Sequence, residues 1–114
     1  MRLYMTELSV SDWPRCVAWY RDAMGLTVEL LDEARRFALL GGEGGRLALK
    51  GSLDQTCSGT RLSFLTQDID AARARLMSQG SSCGPIAADP VERFRSFATV
   101  DPQGVPIQVF AWMD

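Results

Sequence analysis

The sequence predicts an α+β fold of two βαβββ units, and three observations carry that prediction. A run of strand-like alternation, a capped helical stretch and several further extended stretches follow one another in the same order twice. Shifting the sequence by 56 residues lays Asp12 on Asp68, Leu8 on Phe64, Tyr20 on Leu76 and Met5 on Arg61, the pattern of an internal duplication. The 114 residues are 46% hydrophobic and 23% charged, with a net charge of −2, so the chain can bury a core as a single domain and lacks the signature of disorder. Within that domain, module one covers about residues 1–51, a linker 52–59 and module two about 60–114.

Each element has a local cause. Leu3–Val10 alternates, with Tyr4, Thr6, Leu8 and Val10 on the face suited to a covering helix and Leu3, Met5, Glu7 and Ser9 on the other. Ser11 or Asp12 accepts the free N–H groups of the next helix, Pro14 sits in its first turn, and Gly25 ends it. Trp13, Cys16, Val17, Tyr20 and Met24 form its apolar stripe, a core pattern. Extended stretches follow at Thr27–Glu33, Arg36–Leu40 and Arg46–Lys50. The last two are joined by Gly41-Gly42-Glu43-Gly44-Gly45, which connects strands and lacks a following Lys-Ser/Thr pair, so it is no phosphate loop. The polar stretch Gly51 to Gly59 separates the halves. In the second half a strand at Thr60–Thr66 precedes a helix from Asp68 to Gln79, with Ile69, Ala72 and Leu76 inward and Gly80 as its stop. A hairpin, Arg95–Val100 turning through Asp101-Pro102-Gln103-Gly104 into Val105–Ala111, closes the chain. Pro106 restricts that last strand, since proline fits only at a sheet edge or near a strand's start.

Composition removes several functions. There is no histidine, which excludes Ser-His-Asp triads, Cys-His dyads and zinc sites that need imidazole. Eleven of the 12 basic residues are arginine, suited to holding a small carboxylate or phosphate, while the acidic balance argues against nucleic acid. Cys16, Cys57 and Cys83 are an odd number without close spacing and read as reduced thiols; Cys57 has no histidine to activate it. No apolar run is long enough for a signal peptide or membrane span, so a soluble cytoplasmic protein is expected.

Taken together, the Ser11-Asp12 strand end, the helix carrying Trp19-Tyr20 and Met24-Gly25-Leu26, the helix start Asp68-Ile69-Asp70-Ala71-Ala72, and Asp101-Pro102-Gln103-Gly104 followed by Ile107-Gln108-Val109 resemble the vicinal oxygen chelate superfamily. This is the glyoxalase, bleomycin-resistance and extradiol-dioxygenase group. The resemblance spans nearly the whole chain and implies curved sheets around a cavity, usually in a homodimer. It also implies metal ligands at positions that here carry Met5, Arg61 and Gln108, with a fourth near Ala48. None of these is a good ligand for a hard divalent cation. The guanidinium of Arg61 would oppose one by about 4 kcal/mol per unit charge at close range. No cofactor is therefore expected.

By alternation the cavity-facing residues are Met5, Glu7 and Ser9, then Arg61, Ser63 and Leu65, then Pro106, Gln108 and Phe110. Glu7 and Arg61 either pair with each other or serve a ligand: Arg61 would grip an anionic group, Gln108 would add an amide contact, and Phe110, Met5, Phe37 and Trp112 would supply apolar walls. Glu7 is the one acid on these strands and hence the candidate general base. Two functions follow. One is a metal-free protein sequestering a small amphipathic or anionic ligand; the other is a divergent metal-dependent lyase, isomerase or dioxygenase that retains its metal through Glu7 and Gln108.

Overall fold

The computed structural model describes residues 1–42, 44–53 and 59–113. The chain divides into two compact units, Met1–Ser58 and Gly59–Asp114, each a four-stranded mixed sheet with a helix.

In the first unit β1 (Thr6–Val10), β2 (Thr27–Asp32), β3 (Phe37–Gly41) and β4 (Arg46–Gly51) form a sheet in the order β1-β4-β3-β2. β1 runs parallel to β4 and the other neighbours are antiparallel. Between β1 and β2 lies α1 (Trp13–Ala18), which passes into a π-helical turn, Trp19–Ala23. The side chain of Asp12 caps α1 by accepting from the N–H of Arg15. Gly25 leaves the helix with φ 78°, the left-handed conformation its position requires. Alternation places Leu8, Val10, Ala38, Leu40, Leu47 and Leu49 on the helix side, where all are buried with Trp13, Cys16, Val17 and Tyr20. The indole of Trp13, buried in that layer, donates to the carbonyl of Leu49 at 3.0 Å. Ala23 joins the core, whereas Met24 from the expected stripe is half-buried.

The second unit repeats this with β5 (Leu62–Leu65), α2 (Ile69–Ser78), β6 (Ala87–Asp89), β7 (Phe94–Val100) and β8 (Pro106–Trp112), in the sheet order β5-β8-β7-β6. β5 and β8 are parallel, and the remaining pairs are antiparallel. Asp68 caps α2 through the N–H of Ala71, as Asp12 caps α1. Ile69 and Leu76 are buried with Phe97, Ile107, Val109 and Ala111.

Two strand starts differ from the sequence reading, each set by the partner strand. β1 begins at Thr6 and not Leu3: its ladder opens with Thr6 opposite Leu47, and since β4 begins at Arg46 the register leaves Leu3 and Tyr4 no strand residue to pair with. β5 begins at Leu62 and not Thr60, because the residue of β8 before Ile107 is Pro106, which has no N–H to give the ladder. β8 itself is an interior strand and tolerates Pro106 as its first residue. Among the described residues no helix is long and apolar enough to cross a membrane.

Candidate functional site

Each sheet keeps one face for its helix and leaves the other open, and the expected site residues lie on the open faces. Met5 stands one residue before β1 and is half-buried; Glu7 is on β1, exposed, opposite Ala48 of β4. Ser9 is opposite Lys50, which in turn faces Phe37 on β3. In the second unit Arg61 stands one residue before β5 and is exposed, in the place Met5 takes in the first. Ser63 is opposite Gln108 and Leu65 opposite Phe110.

The structure brings together Ser63 and Gln108, whose side chains are joined by a 3.0 Å hydrogen bond from the serine Oγ to the glutamine Oε1. One step along the face, Phe110 meets Trp112 with ring centroids 5.2 Å apart and Phe94 with centroids 6.2 Å apart. Phe94 and Trp112 close the triangle at 6.4 Å, and all three contacts are edge-to-face. Phe94 lies one residue ahead of Arg95, where the sequence pattern starts the strand; its partner across the ladder is Trp112. The cluster stays open to solvent, with Trp112 62% and Leu65 59% exposed.

A second group escaped the sequence altogether. Arg46, at the start of β4, stacks over the ring of Tyr4 with 5.1 Å to the centroid, and its Nε donates to the carboxylate of Glu29 at 3.0 Å. Arg2 and the glycine turn complete a concavity of about 370 Å³ around this trio. The contacts depend on the bulge between Val28 and Leu30 and on Gly41, where a Cβ would lie 2.7 Å from a Glu29 oxygen.

The donor chemistry for a divalent metal is poor. The positions assigned by resemblance hold a thioether, a methyl group, a guanidinium and an amide, and the amide oxygen of Gln108 already accepts from Ser63. Ala48 and Gln108 do occupy matching places, each beside the second strand-position of β1 or β5. Among the described residues no three His, Cys, Asp or Glu side chains come together as a metal site. Cys16 is buried and Cys83 half-buried, while Cys57 lies outside the described residues.

A family model for the glyoxalase-like domain matches residues 5–110. The chain is 30% identical to the uncharacterized protein YaeR of Escherichia coli (strain K12), over 96% of this chain and 95% of that protein. Among solved structures, TnmS3, an antibiotic binding protein from Streptomyces sp. CB03234, is similar with a TM-score of 0.83 at 21% identity, covering 98% of this chain and 96% of that one. Lactoylglutathione lyase from Agrobacterium tumefaciens gives 0.77 at 18% identity, covering 96% and 92%. At these identities the two structures speak for the fold.

Proposed function

This chain belongs to the glyoxalase-like family of the vicinal oxygen chelate superfamily, and on that premise we propose that it is a small-molecule-binding protein that sequesters an amphipathic ligand without a metal. The observation that carries this reading is the open face of the second sheet, where an exposed aromatic triangle adjoins the hydrogen-bonded Ser63–Gln108 pair. Apolar walls with a few placed polar groups are the usual makeup of a ligand site. The fold is shared with an antibiotic binding protein and with a lactoylglutathione lyase alike, so the choice of binding rests on the residues of the site. The residues at the family's ligand positions do not suit a hard cation, so no chemical step is assigned to one. We propose further that the protein acts as a cytoplasmic homodimer, with Arg61, Ser63, Gln108 and Phe110 of the second unit against the ligand.

Elemental analysis of protein purified without added metal, paired with thermal melts across a panel of amphipathic metabolites and antibiotics, tests this. The expected result is far less than one metal per chain and a ligand-induced rise in Tm that EDTA leaves unchanged. Stoichiometric metal that disappears in Glu7→Ala would overturn the reading in favour of a metal-dependent lyase or dioxygenase.

A further inference from the structure

Resting on that proposed role, we infer that the ligand is a planar aromatic molecule carrying an anionic oxygen group displaced along its length from the ring. The inference comes from the order of side chains along two neighbouring strands. On the open face of β8, Pro106, Gln108, Phe110 and Trp112 follow one another, and alongside them on β5 come Ser63, opposite Gln108, and Leu65, opposite Phe110. Arg61, two residues before Ser63, starts the second line and is exposed. In order along the chain the face is thus graded: Arg61 leads into β5 at one end, an amide and hydroxyl follow, and Leu65, Phe110, Phe94 and Trp112 stand at the other end. Same-face neighbours on a strand are about 7 Å apart, so the aromatic end and the donor groups are separated by roughly 7 to 14 Å.

Both ends are selective. At the polar end the ligand meets donors. Ser63 donates to the Gln108 oxygen, which leaves the amide N–H groups of Gln108 to face outward, and Arg61 has only N–H groups to offer. Ser63 and Gln108 keep acceptor lone pairs as well, so the preference comes from the positive charge of Arg61 together with the Gln108 N–H groups, which favour a carboxylate or another anionic oxygen over an ammonium. At the apolar end three rings in edge-to-face contact present a rigid aromatic surface, on which a flat ring gains more than a flexible chain of equal area. The floor beside them is low, since Ser96 lies opposite Phe110 and Ala98 opposite Gln108 on β7. The first sheet offers no such surface: Glu7 and Lys50 stand on its open face, with Phe37 as the one aromatic side chain in those rows.

Three probes separate the parts: pyrenebutyrate (ring and carboxylate), pyrenebutanol (ring only) and decanoate (carboxylate on a flexible chain), each titrated calorimetrically into the full chain. Pyrenebutyrate should bind about tenfold tighter than either of the others. The pair Phe110→Ala with Trp112→Ala should remove its advantage over decanoate, and Arg61→Gln with Gln108→Leu its advantage over pyrenebutanol. All four positions are exposed or half-buried, so the variants should melt close to the parent. Equal affinity for all three probes, weakened together by the open-face variants, would overturn the ligand class and leave the binding role standing. Tight binding of pyrenebutyrate that neither pair of substitutions alters would overturn the site and leave the binding role standing. No binding of any probe would overturn the ligand class, while the thermal-melt panel would still decide the role.

Discussion

In the first unit the carboxylate of Asp32 accepts from the N–H of Arg35, and the next residue, Arg36, turns the chain into β3 with φ 51°. In the second, Asp89 accepts from Val91 and Glu92, and Arg93 turns the chain into β7 with φ 62°. Each arginine carbonyl then accepts from the far strand at 2.8 Å, from Gly51 in one unit and Met113 in the other. From this shared turn the units part. Counting back toward the matching Ala48 and Gln108 positions, the first sheet has one open-face row, Phe37 with Lys50, and the second has two, Phe94 with Trp112 and Ser96 with Phe110. With the turns aligned, Phe94 with Trp112 takes the place of Phe37 with Lys50, and the additional row brings Phe110, the ring that meets both others. The second unit thus carries a candidate ligand surface on a longer hairpin, with the Asp12 and Asp68 caps and the arginine turns in common.

The far ends of the two hairpins also differ, and there the largest effect is expected. The first hairpin turns through glycines, whereas the second turns on Asp101, 3% exposed, whose carboxylate accepts from the N–H groups of Gln103 and Val105 at 2.8 Å each. Asp101→Ala leaves those donors unsatisfied and should cost about 2–3 kcal/mol in urea denaturation. Gly45→Ala in the first hairpin, where an added Cβ meets nothing within 4 Å, should stay within about 0.5 kcal/mol. Similar costs at both would mean that the turns are equivalent and that Asp101 is not what holds the longer hairpin.

A smaller contrast concerns the open faces. Phe110→Ala should weaken pyrenebutyrate binding by about tenfold, while Phe37→Ala, in the first unit's corresponding region, should change it by about twofold or less. Equal losses measured by calorimetry would show that the ring row in the second sheet confers no special affinity.

How far all this could be read in advance depends on the range of the interactions. Helix caps at Asp12 and Asp68, glycine stops at Gly25 and Gly80, and the alternation of Leu8 and Val10 against Glu7 and Ser9 are fixed by residues within one turn or strand, and the sequence shows them directly. Where β1 and β5 begin depends on partners tens of residues away, Arg46 and Pro106, so the local pattern overran both starts. The contact of Ser63 with Gln108 and the pairing of Phe94 with Trp112 are likewise matters of register. Alternation put Ser63, Gln108 and Phe110 on one face, but only the ladder shows which stand side by side. The Tyr4–Arg46–Glu29 group left no trace in the sequence because it hangs on a bulge, which shifts which residues share a face.

The smallest expected effect tests whether the two arginine turns are as alike in energy as in shape. A non-glycine residue in the left-handed region carries a steric cost of about 1–2 kcal/mol, and glycine there removes it while giving the unfolded chain more freedom, worth about 0.5–1 kcal/mol. For Arg93, an exposed side chain, the balance should favour glycine, and Arg93→Gly should stabilise by about 0.5 kcal/mol. Arg36 is exposed too, but its Cβ, Cγ and Cδ lie over the backbone of Gly51, 2.8 to 3.4 Å from where a Cβ on that glycine would stand. Arg36→Gly loses that packing and should come out near neutral. Urea melts of both variants decide it: a gain confined to Arg93→Gly supports the distinction, and equal gains would show that the arginine stem over Gly51 contributes nothing.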